Sequence, residues 1–174
     1  MEELRGNLEP KLKAFFGYGV ALHNGMALIG NKGSAQRLDY GLVGDLINAA
    51  ARVESLTKYY GVLFLMTREA YAKLSDPPMV RVIDKAIVKG KSVPLELLEV
   101  RHSHSPENFG NIAARYNSAF AAYQAGAFGE AERLFTALRD EMQDKPSALL
   151  AKRCRELAID PPPQWKGIYQ LETK

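Results

Sequence analysis

The chain has little of several things that would have placed it at once. It has one cysteine, Cys154, so no internal disulfide can form, which fits a reducing, cytoplasmic setting. It has one tryptophan, Trp165, and its net charge is only +3 over 174 residues. So small an excess gives no footing for a nucleic-acid partner. No apolar run approaches the roughly 20 residues of a membrane helix, and MEELRGNLEP does not read as a signal peptide. With 47% hydrophobic and 25% charged residues, the composition is that of a soluble globular chain. Its length suits one domain or one and a half.

The most informative stretch runs from Tyr40 to Lys58, YGLVGDLINAAARVESLTK. It passes from a short apolar segment through Gly44 into a helix, with Asp45 expected as the N-cap. Leu46, Ala49, Ala50, Val53 and Leu56 then share one apolar face. Asn48 and Arg52, four apart, are neighbours on its flank. Arginine suits phosphate because its planar fork offers parallel N–H donors. Spacing alone is equally compatible with an amphipathic helix whose Asn48 and Arg52 are simply solvated.

The surrounding chain supplies alternating strand and helix signals. Residues 1–13 have helical composition, broken at Pro10. Phe15 to His23 reads as a strand, Asn24-Gly25 as a hairpin turn and Met26 to Gly30 as the returning strand. Gly30 to Arg37 is expected as a polar loop, and Leu38 to Val43 as a strand. Val62 to Met66 is a buried-strand candidate, and Thr67 can cap a helix reaching about Leu74. Asp76-Pro77-Pro78 breaks that helix. Met79 to Val88 and Val93 to Val100 form a hairpin about Lys89 to Ser92. This pattern favours α+β over a doubly wound sheet.

Residues 101–111 have linker composition. Beyond them come helices over Ile112 to Ala125, Phe128 to Glu141 and Pro146 to Ile159. Pro161-Pro162-Pro163 ends them, and Trp165 to Leu171 is expected as an extended segment packing back.

Two runs carry a resemblance to a known family. GYGVALHNGMALIGNKGSAQRLDYGLVGDLINAAARVESLTKYYGV and VIDKAIVKGKSVPLELLEV resemble the C-terminal half of the class III adenylate/guanylate cyclase catalytic domain. The resemblance covers about residues 1–100 and implies a partial ferredoxin-like cyclase domain. The run YNSAFAAYQAGAFGEAERLFTAL resembles one tetratricopeptide repeat. The implied plan is a cyclase half over 1–100, a linker over 101–111 and a helical extension with tail over 112–174. One repeat and a half is too few for a free-standing array, so it should pack on the first domain or on a partner.

The family converts a nucleoside triphosphate, here most simply ATP, to its 3′,5′-cyclic monophosphate with release of pyrophosphate. By this resemblance Asn48 orients the ribose, and Arg52 meets charge at the α-phosphate, a preorganised electrostatic role. Lys89 would contact the terminal phosphates. Gly41 stands where the family usually carries the residue that reads the base. It offers no side chain, so base choice is unreadable there, and reduced selectivity or lost activity are both open.

The family's Mg²⁺ or Mn²⁺ ions are held by two aspartates of the first half, which this stretch does not match. Asp39, Asp45, Asp76 and Asp84 do not replace them, and without those ions the 3′-hydroxyl lacks its main activator. Family sites form between two protomers, so the expectation is a homodimer or a complementary cyclase half, with this chain inactive alone. The alternative is a non-catalytic interaction module derived from a cyclase domain.

Other motifs carry less. Gly90-Lys91-Ser92 fails as a phosphate loop because Lys85 stands where glycine is required. His102 and His104 have no further metal ligand at useful spacing. His23 and Cys154 read as structural.

Overall fold

The computed structural model describes residues 18–34, 37–88 and 92–171, with the side chains of 31–39 and 43 outside that description. The helix expected over 1–13 and the turn residues Lys89 to Lys91 therefore lie outside the described residues. In chain order the elements are β1 (Val20–Leu22), β2 (Leu28–Ser34), β3 (Arg37–Val43), α1 (Asp45–Tyr60), β4 (Phe64–Thr67), α2 (Arg68–Tyr71), β5 (Val80–Ile87) and β6 (Leu95–Val100). They are followed by α3 (Phe109–Gln124), α4 (Phe128–Met142), α5 (Lys145–Ile159) and β7 (Tyr169–Gln170). Among the described residues, no helix is long and apolar enough to cross a membrane.

Five strands form a mixed sheet in the order β1-β4-β6-β5-β7, and β2 and β3 make a separate antiparallel ribbon. The strand now called β1 was expected to fold back on β2 through Asn24-Gly25. Instead β1 runs parallel to β4, with Val20 opposite Phe64. A turn signal specifies that the chain reverses, not which strand it then pairs with. Here the loop folds onto α1, so that a Cβ on Gly25 would lie 2.9 Å from Leu46 Cδ1. The segment Gly30 to Ser34, expected as loop, is strand and pairs with residues 37–41 of β3. A two-stranded ribbon is held by its backbone ladder, so polar sequence does not exclude it.

The remaining elements follow their local signals. Thr67 caps α2 by accepting from Ala70 N at 3.4 Å, although the helix is shorter than expected. β5 and β6 pair antiparallel. In α3 the buried side chains are Phe109, Ile112, Ala113, Tyr116, Ala119, Phe120 and Tyr123, the repeat of a single helical face. Asp144 caps α5, accepting from Ser147 N at 3.0 Å, with Pro146 in the first turn. The tail does pack back: β7 joins β5 in parallel, and Leu171 N donates to Ile87 O at 3.0 Å.

One core runs through both halves of the chain. It joins Val53, Leu56 and Leu65 to Ile83 and Leu97, and continues into Tyr116, Phe135, Leu150 and Cys154. Polar ties reinforce it, for example Tyr116 OH donating to Ile83 O at 2.9 Å.

Candidate nucleotide-facing helix

Gly44 sets the direction of α1. It takes φ 142°, a region that side chains disfavour, and it is the N-cap residue. Asp45, expected as the cap, is instead the first helical residue, and Gly44 makes no side-chain cap. An acid in the first turn still complements the positive end of the helix. At the far end Gly61 adopts a left-handed conformation and donates to Thr57 O, with Lys58 in the last turn.

The buried face of α1 is Ala49, Val53, Leu56, Thr57 and Tyr60, which packs on β1 and β4. Leu46 and Ala50 lie at its border, half-buried. Asn48 is exposed and Arg52 half-buried, one turn apart. The pair therefore sits on the flank of the packed face rather than beneath it. Gly41 is half-buried in β3, directly opposite Gly30 of β2. This glycine pair leaves a stretch of ribbon without side chains on either strand. A Cβ at Gly30 would meet nothing within 4 Å. Lys89 lies outside the described residues, beyond the end of β5. Cavities of about 530, 450 and 220 Å³ are lined by residues other than Asn48 and Arg52.

Among the described residues, no three His, Cys, Asp or Glu side chains come together as a metal group. Asp84 is fully buried and already engaged. It accepts from Tyr60 OH at 2.6 Å and from Arg153 Nη1 at 2.5 Å, and its second oxygen takes Lys85 N at 2.8 Å.

Sequence reasoning missed this buried network. Arg153 also reaches Tyr123 OH at 3.3 Å and lies 3.8 Å over the Tyr169 ring. Burial, reinforced by Asp84, pushes the Tyr60 phenol well above its ordinary range. Arg153 stays firmly protonated despite its burial, because Asp84 faces it. A second buried arginine, Arg81, pairs with Glu99 and with Asp144, the latter at 2.8 Å. Burial outweighs Arg81 and raises the Glu99 carboxyl above its usual value.

The available signal was three charged residues, Arg81, Asp84 and Lys85, among the apolar ones of the strand VRVIDKAI. Its meaning turned on a β-bulge between Val82 and Asp84. Arg81 and Ile83 are buried by simple alternation. The extra residue then brings Asp84 and Ala86 inward as well.

The histidines are local. His23 Nδ1 shares a hydrogen bond with Thr67 Oγ1 at 3.0 Å. His102 and His104 belong to a turn in which Ser105 N donates to His102 O at 3.0 Å. Cys154 is buried, and its thiol is pushed up to about 12 by burial.

The chain is similar in sequence to adenylate cyclases. An adenylate cyclase of Anabaena cylindrica is 38% identical over 86 residues, which is 48% of this chain and 17% of that protein. Adenylate cyclase 1 of Rhizobium meliloti (strain 1021) is 34% identical over 91 residues, 52% of this chain and 13% of that protein. The terminal-differentiation specific adenylate cyclase of Dictyostelium discoideum is 29% identical over 143 residues, 78% of this chain and 7% of that protein. The chain thus spans less than a fifth of the length of these curated relatives. Among solved structures, the adenylyl cyclase CyaB from P. aeruginosa is 32% identical, with a TM-score of 0.39, over 45% of this chain and 39% of that one. No protein-family model matches the chain.

Proposed function

We propose that this chain supplies one side of a class III adenylate cyclase site, the side that holds the ribose and the α-phosphate of ATP. The observation that carries the reading is α1: an exposed amide and a half-buried guanidinium one turn apart, on the flank of its packed face, in a chain similar to adenylate cyclases. Asn48 orients the ribose so that its 3′-hydroxyl faces the α-phosphate. Arg52 meets the negative charge that grows on the phosphoryl oxygens as that hydroxyl attacks and pyrophosphate leaves. Lys89 neutralises the terminal phosphates, and Gly41 leaves base contact to backbone atoms.

Mg²⁺ or Mn²⁺, when bound, would activate the attacking hydroxyl, and carboxylates of a longer chain or a partner would hold the ions. Among the described residues no group of three or more His, Cys, Asp or Glu side chains gathers that could hold them. Within the reading, residues 1–100 are part of a ferredoxin-like cyclase domain, and the helices of 112–174 are a tetratricopeptide-like extension.

The surface around α1 supports a partner. Among the described residues β1 lies at the edge of the sheet, and Leu28, Ile29 and Tyr40 of the ribbon are 76%, 64% and 75% exposed. Met26, Leu42 and Ile47 are exposed as well. Apolar surface of this extent beside an open sheet edge suits association with a second polypeptide. The same surface also favours the other reading, an interaction module that no longer catalyses.

A complementation assay separates the two. The chain is mixed with a polypeptide carrying the metal-binding half, and cyclic AMP is measured with Mg²⁺ or Mn²⁺. Activity is expected, with Asn48→Ala and Arg52→Ala each lowering it by about 10²–10³. Folded, associated halves that make no product leave only the interaction module.

A further inference from the structure

After Pro163 the chain runs through Trp165 into β7. Trp165 donates its indole N–H to Tyr123 O at 2.9 Å and packs edge-on against Tyr123 and Phe128, at 5.1 and 5.3 Å between centroids. The one polar atom of the indole is therefore used within the fold. Tyr169 is likewise fixed, lying under the Arg153 guanidinium.

The remaining surfaces of these two rings, with Tyr59, Ile87, Leu157 and Leu171, wall a cleft of about 530 Å³. That is the size of sites for small organic molecules, which are mostly apolar with a few polar groups fixing orientation. Among the described lining residues one carries a charge at neutral pH, the exposed Lys166, and Gln164 and Gln170 add exposed side-chain amides. The cleft meets α1 at Tyr59, eleven residues and about 16 Å of helix rise beyond Asn48. It is distinct from the nucleotide-facing flank.

We propose that this cleft binds a small organic acid, its apolar body against Trp165 and Tyr169 and its carboxylate at Lys166. The chemistry follows from the walls: a nearly neutral, aromatic-sided cleft favours an apolar body, and a single cation favours one negative charge. A neutral molecule gains nothing from Lys166, and a polyanion finds no second cation among the described lining residues.

The sole tryptophan makes the site directly readable. The folded chain is titrated with decanoate, and Trp165 fluorescence is followed at neutral pH alongside the melting temperature. A saturable fluorescence change and a rise in melting temperature with ligand concentration are expected. Affinity should fall several-fold in Lys166→Ala and about tenfold or more in Lys166→Glu, and decanol should bind more weakly than decanoate. Lys166 is exposed, so neither variant threatens folding. The proposal is overturned by a non-saturable response, or by one that is equal for decanol and unchanged in Lys166→Glu. It is also overturned by a fluorescence change that appears on concentrating the protein alone, which assigns the cleft to a second copy.

Discussion

Replacing Asp84 by asparagine tests the buried network that ties the two halves of the chain together. Asp84 is fully buried, and Arg153 is only 3% exposed. Asp84→Asn removes the negative charge and leaves that guanidinium in the core beside Tyr60 and Tyr123. Removing one member of a buried ion pair costs about 3–5 kcal/mol, because the other charge is left uncompensated. Arg153 keeps its contact over Tyr169 and its bond to Tyr123, which places the expectation near the lower end. Domain stabilities are on the order of 5–15 kcal/mol, so this is a substantial share. In urea, with a slope near 2 kcal/mol per molar, the midpoint should fall by about 1.5 M. Trp165, 5.1 Å from Tyr123, reports the transition by fluorescence.

The paired variant Asp84→Asn with Arg153→Met decides the mechanism. Removing both charges relieves the desolvation that each single variant leaves behind. The double variant should therefore be more stable than the sum of the singles predicts, by at least about 1.5 kcal/mol. Additivity within about 0.5 kcal/mol, or a cost below about 1 kcal/mol for Asp84→Asn, would falsify the account of Asp84 as the charge that holds Arg153.

Further outcomes follow from other parts of the structure. Cys154, with its thiol raised from 9.0 to about 12, should resist iodoacetamide at pH 8.5 in the folded chain and react fully in urea. An acid whose folded value is raised keeps its proton in the native state, so stability from this group is lost as pH rises from about 9 towards 12. Denaturation midpoints measured across that window, against a Cys154→Ala control, read the slope. Gly44→Ala should cost about 1–3 kcal/mol through backbone strain alone, since its Cβ would come no closer than 3.9 Å to Ala27 Cα. An unchanged melting temperature would contradict that conformation. Tyr40→Glu, at an exposed ribbon position, should weaken association with the complementary half in light scattering while leaving the circular dichroism of the chain unaltered.

Much of the architecture was legible because local signals and tertiary demands agree. The repeat of apolar residues in α3, the cap at Thr67, the β5–β6 hairpin and the returning tail each correspond to a short-range preference that the packed structure also needs. The apolar face of α1 could be read off the chain, and Asn48 and Arg52 then had to lie on its flank. Their chemistry was legible only through resemblance, because an amide and a guanidinium one turn apart occur on many solvated helices. Gly44 and Asp45 differ from the expected cap by one position, since a glycine in a strained conformation can begin a helix without a side-chain bond.

By itself, then, the sequence determined most of the helices and the β5–β6 hairpin, which face of α1 is apolar, and that a tryptophan-bearing tail returns to the body of the protein, but not that Gly30 to Ser34 is strand. Only the tertiary structure decided that β1 runs beside β4 instead of β2, and that Asp84 turns inward to hold Tyr60 and Arg153. The reason is one of range. Periodicity and capping act over a few residues, whereas strand partnership, a one-residue bulge and the pairing of charges 69 positions apart are settled by which distant surfaces are brought together.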